Sequence, residues 1–294
     1  MSDKSFLSRI YNNEYLVADG ATGTNLIYRG LPNGVTAETW VLEQPEQVIQ
    51  LHKDFVTAGA DIILTSTFGA SSIRLKGSRL EGKVDSVNRK AVELARNAAA
   101  GTQTFIAGSL GPVGQLLKPY GPLTVDEVQA AYAEQAHIIS ESGADLLVVE
   151  TQFDLGEIKA AIDGVRSESE LPLIVSLSYD RGNRTMMGLS PTQAGKELNG
   201  LPVDIIGINC GRSLEENFQN LIELRQVTPK PIWFKPNAGL PHIDSQGKTV
   251  YEISPEAMGE QVVSWLEAGA QIVGGCCGTS PDHLKEISRH VKKQ

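Results

Sequence analysis

Three cysteines carry the most informative chemistry in this 294-residue sequence: Cys210 stands alone, whereas Cys276 and Cys277 are adjacent. Three cysteines are too few for a disulfide framework, but soft thiolates are good ligands for zinc. Zinc is usually four-coordinate, so three protein ligands would leave one position open, as in catalytic sites. Two alternatives remain open at this level: a vicinal disulfide between Cys276 and Cys277, or unliganded thiols that pack like small apolar side chains.

The elements that must position these cysteines follow from a repeating pattern. Short β-rich runs alternate with amphipathic helical stretches, and the runs begin at Leu16, Asp61, Thr104, Asp145, Leu171, Val203, Pro231 and Gln271. Most of the runs are continuously apolar, which is typical of parallel strands buried on both faces. We therefore predict a single-domain (β/α)8 TIM barrel over residues 1–294. A doubly wound open sheet is the alternative, and the barrel is favoured because it leaves no exposed edge strand.

Several helix boundaries are marked in the sequence. Thr124 followed by Glu127 is a capping-box pattern, and a serine or threonine precedes several other helical stretches. The segments TAGADIIL, ESGADLLV and EAGAQIVG share one sequence pattern. In each, we expect the glycine to end a helix in the left-handed conformation, with a strand starting two residues later. The connection at 21–44 is long for this fold and is a candidate substrate lid.

The barrel would bring the cysteines together. Cys210 is the last residue of the sixth run, and Cys276 and Cys277 lie near the end of the eighth. Strand ends in such a barrel ring one mouth, where catalytic residues collect, so we predict that the three thiols converge there. Regular alternation would point adjacent residues to opposite faces, so the pair requires a local kink or bulge, which the surrounding glycines permit.

Two carboxylates lie at other strand ends. Asp19 and Gly20 belong to the glycine-rich turn DGATGTNL, and Glu150 lies in VVETQFD. Asp19 would bind a substrate ammonium or cap the turn, and Glu150 would be paired structurally or reach into the mouth for a cation. The glycine-rich turn lacks the spacing of a dinucleotide fingerprint or a P-loop, so we exclude nucleotide binding there.

The histidines give no candidate ligand or general base. We place four of them on helices and one in a loop, and none at a strand end; they are His52, His137, His283, His290 and His242.

Composition excludes several classes of partner. The formal net charge of −9 and the pI of about 5.1 disfavour nucleic acid and anionic membrane surfaces. The sequence has no apolar run near the roughly 20 residues of a membrane span, and its N-terminus lacks the apolar core of a secretory signal. We therefore expect a cytoplasmic protein that binds neither nucleic acid nor membrane.

Five motifs together resemble the homocysteine S-methyltransferase family: DGATGT, TSTFGAS, VVETQFD, GINC and GGCCGT, in this order along the chain. Within that family, SLGPVGQLLKPYG, KPNAGLPH and GGCCGTSPDH are most similar to the homocysteine-binding module of cobalamin-dependent methionine synthase. The resemblance covers essentially the whole chain and implies the same barrel.

The resemblance also implies roles for individual residues. Cys210, Cys276 and Cys277 would bind one zinc ion per chain. Asp19, Gly20 and Glu150 would hold the amino-acid end of homocysteine, with Thr67 and Asn209 nearby. Trp40, in ETWVLEQPE, lies where branches that use betaine or S-methylmethionine carry an aromatic residue near the donor, although a core or lid tryptophan is the alternative.

The implied reaction is methyl transfer to homocysteine to give methionine. A free thiol has a pKa of about 8.5, and zinc would keep the bound sulfur ionised. The barrel uses every strand run, so we expect methylcobalamin to act only indirectly, on a separate corrinoid protein. The alternatives are a small donor such as S-methylmethionine or betaine, or another thiol as acceptor in a demethylation pathway.

Two further hypotheses come from other functional classes. A barrel lyase or aldolase would bind a substrate phosphate at the Gly274–Gly275 turn. A non-enzymatic zinc-binding subunit would only dock a corrinoid protein and would need a fourth protein ligand, which no strand end supplies.

Overall fold

Eight parallel strands surrounded by helices form the core of the computed structural model, which describes residues 5–244 and 249–294. The barrel strands are β1 (Leu16–Val17), β2 (Ile62–Leu64), β3 (Phe105–Leu110), β4 (Leu146–Gln152), β5 (Leu173–Leu177), β6 (Ile205–Cys210), β7 (Ile232–Pro236) and β10 (Ala270–Val273). A separate antiparallel hairpin, β8 (Pro241–Ile243) and β9 (Thr249–Tyr251), lies between β7 and the next helix.

The sheet closes on itself. The strand order is β1-β10-β7-β6-β5-β4-β3-β2, and β1 pairs with β10 through Leu16 and Ile272. The last gap is bridged by a parallel pairing of Ala18 with Ile62, whose carbonyl accepts the Asp19 amide at 3.0 Å. The (β/α)8 barrel is therefore confirmed, and the open sheet is excluded.

Helices cover the outside of the barrel and fill its connections. They are α1 (Phe6–Tyr11), α2 (Thr22–Tyr28), α3 (Ala37–Glu43), α4 (Pro45–Ala58), α5 (Ser72–Leu75), α6 (Val84–Ala98), α7 (Val125–Glu141), α8 (Leu155–Glu168), α9 (Pro191–Asn199), α10 (Leu214–Arg225), α11 (Pro255–Glu267) and α12 (Pro281–Val291). The Thr124–Glu127 capping box is present at α7. The three repeated segments do place glycine at positive φ, at Gly59, Gly143 and Gly269. The strands that follow begin one to three residues later, not uniformly two.

Each strand is buried on both faces because successive side chains join different cores. Leu16, Ala18, Ile62 and Leu64 belong to an inner cluster, whereas Val17 packs with the helices outside. Helix α1, which we did not predict, joins the inner cluster through Phe6. The ring of Phe6 packs edge-on against Phe105, the first residue of β3, at 5.6 Å between ring centroids. This contact places α1 at the amino end of the barrel, opposite the mouth.

Three details differ from the sequence-based expectations. His242 lies in β8 and not in a loop, because it pairs with Val250 across the hairpin. The connection after β1 is largely helical, since α2 and α3 occupy it. Strand β10 ends at Val273, so Cys276 and Cys277 follow the strand and do not lie on it.

Among the residues that the structure describes, no helix combines the length and the apolar character that crossing a membrane requires.

Candidate functional site

The inward side chains change from apolar to polar toward the carboxyl ends of five neighbouring strands. Residues two apart point to the same face of a strand. Each polar residue therefore points into the barrel, as does the apolar residue that precedes it on the same face. Each strand from β3 to β7 has an inner apolar residue followed by a polar one: Ala107 and Ser109, Val148 and Glu150, Ile174 and Ser176, Ile205 and Asn209, and Trp233 and Lys235. The two residues of a pair are two apart, except in β6, where they are four apart. All five polar side chains are buried. They form a polar layer on top of the apolar barrel core.

The three cysteine sulfurs meet beside this layer. The Sγ atoms of Cys210, Cys276 and Cys277 all lie within 4.8 Å of one another, and those of Cys210 and Cys276 are 3.0 Å apart. Cys210 ends β6 with a left-handed φ of 60°, which costs a non-glycine residue of order 1–3 kcal/mol. The structure thus brings together two segments that are 66 residues apart in the sequence.

The adjacent pair reaches the site through a tight turn after β10. The Cys276 amide donates to Pro236 O at 2.9 Å, and Thr279 Oγ1 donates to Cys276 O at 2.6 Å. Gly278 adopts a φ of +81°, which allows the chain to turn directly after Cys277. The kink that the adjacent cysteines required is therefore a turn beyond the strand and not a bulge within it.

The two glycines before the pair serve packing. A Cβ on Gly274 would lie 2.5 Å from Ala18 O, and one on Gly275 would lie 2.3 Å from Thr279 Cγ2. Their amides already donate to Phe234 O and Asp19 O. Neither glycine amide is therefore free to bind a phosphate, which removes the basis of the lyase hypothesis.

Asn209 contacts the sulfurs directly. Its Oδ1 accepts hydrogen bonds from Ser176 Oγ at 2.7 Å and from the Thr151 amide at 2.9 Å. The orientation of the amide is thus fixed, and Nδ2 donates to Thr151 Oγ1, with Cys210 Sγ and Cys276 Sγ at 3.5 and 3.7 Å. Thr151 itself has a left-handed φ of 58° beside a register shift in β4. Asn209 therefore holds the cysteines, and it is not among the residues that line the cavity.

The thiols influence one another's ionisation. Hydrogen bonds with the thiols of Cys276 and Cys277, together with burial, raise the pKa of Cys210 well above its ordinary value. Hydrogen bonds from Cys210 and Cys276 lower the pKa of Cys277 well below its ordinary value. Of the three thiols, Cys277 is therefore the one whose ionisation its neighbours favour. Ionisation of all three would need a nearby positive charge.

A cavity of about 440 Å³ opens beside the cysteines at the mouth of the barrel. Its lining includes all three cysteines and residues from the connections after β1 and β2. The lining residues are Gly20, Ala21, Thr22, Gly23, Thr24, Thr36, Ala37, Glu38, Leu64, Thr65, Ser66, Phe68, Arg74, Ser109, Glu150, Thr151, Cys210, Lys235, Gly275, Cys276 and Cys277.

Glu150 faces this cavity from the polar layer. Its Oε1 accepts a hydrogen bond from Ser109 Oγ at 2.5 Å, and Oε2 has no hydrogen-bond partner among the described residues. Burial raises the pKa of Glu150 to about 7, although the charge of Lys235 opposes the shift. The carboxylate is thus hydrogen-bonded to Ser109 while the residue lines the cavity.

Lys235 is the functional candidate that sequence reasoning missed. It lies in β7, is 3% exposed, and its Nζ donates to Asp19 Oδ1 at 2.6 Å. The sequence does contain a signal for this residue. Lys235 is the charged residue of an otherwise apolar strand, and it lies two residues beyond the inward-facing Trp233, so it points into the barrel as well. A charged side chain that points into the barrel interior needs an ion-pair partner or a ligand.

The remaining predicted residues fall at different distances from the cavity. Gly20 lines it, whereas Asp19 is fully buried and does not. Thr67 is also fully buried, and its hydroxyl bonds Thr65 and Ser109 within the protein. Trp40 packs into the hydrophobic core and is absent from the cavity wall. Asp19, Thr67 and Trp40 are thus not among the residues that line the cavity, and their roles toward acceptor or donor stay predictions.

One buried oxygen near the cysteines lacks a partner. Asn237 donates its amide to Cys210 O at 3.2 Å and its Nδ2 to Gly211 O at 2.7 Å. Its Oδ1 is buried without a hydrogen bond in the described part of the chain. Such an atom is costly unless water or an ion satisfies it.

Known proteins resemble this chain over nearly its full length. Two curated relatives, both named methionine synthase, are 31% identical (Mycobacterium leprae) and 29% identical (Mycobacterium tuberculosis), over 95% and 96% of this chain. The chain spans only about a quarter of the length of each. Among solved structures, the metallated form of the homocysteine methyltransferase MmuM from Escherichia coli superposes with a TM-score of 0.80 at 26% identity. The match covers 95% of this chain and 97% of that one.

A family model described as homocysteine S-methyltransferase matches residues 16–291, from the first barrel strand to the last residue of α12. This range contains the three cysteines, the polar layer and the cavity. The chain belongs to the homocysteine S-methyltransferase family.

Proposed function

We propose that this chain transfers a methyl group to the sulfur of homocysteine, forming methionine, with zinc held by Cys210, Cys276 and Cys277. The observation that carries the proposal is the meeting of three sulfurs, all within 4.8 Å of one another, in the wall of a cavity. Membership of the homocysteine S-methyltransferase family supports homocysteine as the acceptor.

The sulfur positions fit a zinc ion. Zinc–sulfur bonds of about 2.3 Å in a tetrahedral site place sulfurs about 3.8 Å apart. This value lies between the 3.0 Å that separates Cys210 Sγ from Cys276 Sγ and the 4.8 Å limit for the whole group. Three thiolates are the donor set that soft metals prefer, and a fourth position would remain open toward the cavity.

Zinc bound there would supply the positive charge that deprotonates a thiol and keeps its sulfur available as a nucleophile. The residues of the chain do the rest. Asn209 holds the orientation of Cys210 and Cys276. Glu150 offers a free carboxylate oxygen for the amino-acid end of the acceptor, and the cavity aligns acceptor and donor. No histidine lines the cavity in the described part of the chain.

The methyl donor in this proposal is a methylated corrinoid on a separate protein or domain. The curated relatives support this choice, because they are named methionine synthase and are about four times the length of the matched region. The alternative of a small donor rested on Trp40, which the structure buries in the core. Assays with homocysteine plus methylcobalamin, S-methylmethionine or betaine would separate the donors.

X-ray absorption of the freshly reduced protein tests the part of the proposal that concerns zinc and homocysteine. We expect about one zinc per chain with three sulfur ligands, rising to four when homocysteine is added. The Cys210→Ala variant should lose most of the zinc. Protein without zinc, or four sulfur ligands before any substrate is added, would overturn the proposal in favour of a structural or oxidised cysteine group.

A further inference from the structure

The proposed site contains several sulfurs that could each accept the methyl group. Cys210, Cys276 and Cys277 all line the cavity that acceptor and donor would enter. Each would be a zinc-bound thiolate, as would the acceptor sulfur, and the thiolate is the nucleophilic form of sulfur. A methyl group that reached a cysteine would turn a metal ligand into a thioether. The reaction therefore requires the cysteine sulfurs to react more slowly than the acceptor sulfur.

Asn209 lies behind the cysteines with its side chain held in one orientation. The Thr151 amide, which can only donate, lies 2.9 Å from Oδ1, and Ser176 Oγ donates to the same oxygen at 2.7 Å. The backbone donor identifies this atom as the oxygen, so Nδ2 points toward the sulfurs. Asn209 is 0% exposed and does not line the cavity, so its N–H groups serve neighbouring protein atoms and not a bound molecule.

Two of the three cysteine sulfurs share one N–H of Asn209. An amide nitrogen carries two hydrogens, and Thr151 Oγ1, 2.7 Å from Nδ2, takes one of them. The other lies between the Sγ atoms of Cys210 and Cys276, at N–S distances of 3.5 and 3.7 Å. The hydrogen-bond partners of Cys277 in the described chain are the other two thiols and its own backbone. Asn209 therefore contacts two of the three sulfurs and leaves out Cys277.

A hydrogen bond to a thiolate stabilises the charge that the sulfur loses when it bonds to carbon. Hydrogen bonds to charged groups are about twice as strong as those between neutral groups, whereas a thioether sulfur is only a weak acceptor. Much of this stabilisation is lost as the sulfur–carbon bond forms. Because the starting thiolate is stabilised more than the transition state, the barrier to its methylation rises.

We propose that Asn209 is a specificity-determining residue whose N–H protects Cys210 and Cys276 from methylation, so that the methyl group goes to the acceptor sulfur. This inference rests on the proposed function, because the acceptor would be a further thiolate on the same zinc. Asn209 acts through the cysteines and touches neither acceptor nor donor.

Iodomethane tests the protection without the natural donor. A thiolate attacks its carbon, the sulfur–carbon bond forms, and iodide leaves with the electron pair of the broken bond. Reduced, zinc-loaded protein is treated to low conversion without homocysteine, and methylation of Cys210 and Cys277 is counted in peptides by mass spectrometry. Cys277 is the internal reference, because Asn209 does not contact its sulfur.

Two variants remove the N–H in different ways. Asn209→Leu removes the whole amide, whereas Asn209→Asp keeps an oxygen for the Thr151 amide and Ser176 but has no N–H to donate. In both, we expect the ratio of Cys210 to Cys277 methylation to rise about tenfold, the loss expected for one hydrogen bond to a charged group. In cobalt-loaded protein, the sulfur-to-cobalt charge-transfer bands should also move to lower energy, since the sulfur lone pairs are less stabilised.

Asn217→Leu is the matched control. Asn217 is also buried and holds the same cysteine, but its Nδ2 donates to the backbone oxygen of Cys210 at 2.8 Å and not to the sulfur. This variant should keep the wild-type methylation ratio and the wild-type cobalt bands. An unchanged ratio in both Asn209 variants overturns the inference. An equal rise in Asn217→Leu also overturns it, because Asn209 would then only hold the chain in place.

Adding homocysteine separates this inference from the proposed function. In the Asn209 variants, methylation of Cys210 relative to homocysteine should rise about tenfold over wild type. If bound zinc and protein never speed the methylation of homocysteine, the proposed function fails, even where Cys210 reacts faster in the variants. If homocysteine is methylated on the protein and the ratio is the same in all variants, only this inference fails.

Discussion

Single side chains set the electrostatic character of the site. The Lys235–Asp19 pair is among the most deeply buried ion pairs described, with both side chains at most 4% exposed. A buried pair adds little net stability, but removing one partner is strongly destabilising, by about 3–5 kcal/mol. Lys235 lines the cavity, and Asp19 is its ion-pair partner inside the barrel. His52 illustrates the opposite case, a buried titratable group that is not among the residues lining the cavity.

His52 makes the fold sensitive to acid. It is 1% exposed in α4, and neither ring nitrogen has a partner in the described chain. Burial lowers its pKa to about 4, below the value of about 6.5 in the unfolded chain. Between these values the unfolded state binds the proton, so stability is full above pH 6.5 and falls as the pH decreases toward 4. From pH 7 to pH 5 we expect a loss of about 2 kcal/mol from this residue.

Urea unfolding of wild type and His52→Leu at pH 7 and pH 5 measures this contribution. The variant should lose about 2 kcal/mol less than wild type over that range. Equal losses in the two proteins would show that His52 does not contribute to acid sensitivity.

The element that shapes the site is the turn after β10. Gly274 packs against the backbone of Ala18 next to β1, and Gly275 packs against Thr279. Thr279 in turn accepts the Ala21 amide and donates to Cys276 O. The turn therefore links the cysteine pair to the first strand and to the start of α12. Small residues are required because the neighbouring chain segments are too close for a Cβ atom.

Gly275→Ala should displace this turn. The new Cβ would lie 2.3 Å from Thr279 Cγ2, so the cysteine pair or Thr279 has to move. We expect a loss of about 1–3 kcal/mol in stability and of about tenfold to hundredfold in zinc affinity, measured by competition with a chelator. Gly200→Ala is the matched control, because its nearest neighbour would be 3.9 Å away. Unchanged zinc affinity in Gly275→Ala would contradict this account of the turn.

At the scale of the whole molecule, the cysteines join two distant parts of the barrel. Cys210 ends β6, and Cys276 and Cys277 follow β10, with β7 between these strands. A metal bound to all three would fasten the carboxyl ends of this side of the barrel. The polar layer, the turn and the connection after β1 meet at the same end, so the ligand site and the closure of the barrel depend on one another.

Zinc should therefore stabilise the folded chain. A ligand that binds only the folded state adds about 2.7 kcal/mol when its free concentration is about 100 times its Kd. Thermal unfolding of reduced protein should shift upward with zinc but not with magnesium, which prefers oxygen ligands. Cys276→Ser should weaken the shift strongly. A zinc-dependent shift of the same size in that variant would argue that the metal binds elsewhere.

The sequence by itself determined the architecture and the elements that carry the site. Apolar runs, capping patterns and repeated glycines are local signals, and they indicated the barrel strands and the ends of several helices. Because parallel strands in a barrel end at one mouth, the convergence of Cys210 with Cys276 and Cys277 also followed from the sequence. The position of Glu150 on the cavity wall followed for the same reason.

Only the tertiary structure decided which side chains pair and which face the ligand. Asp19 and Lys235 are 216 residues apart and meet because β1 and β7 both flank β10, which no local pattern specifies. The end of β10 before the cysteines and the burial of Trp40 likewise depend on contacts with distant segments. Periodicity reports the face on which a residue lies, whereas its partner depends on strand order and register across the closed barrel.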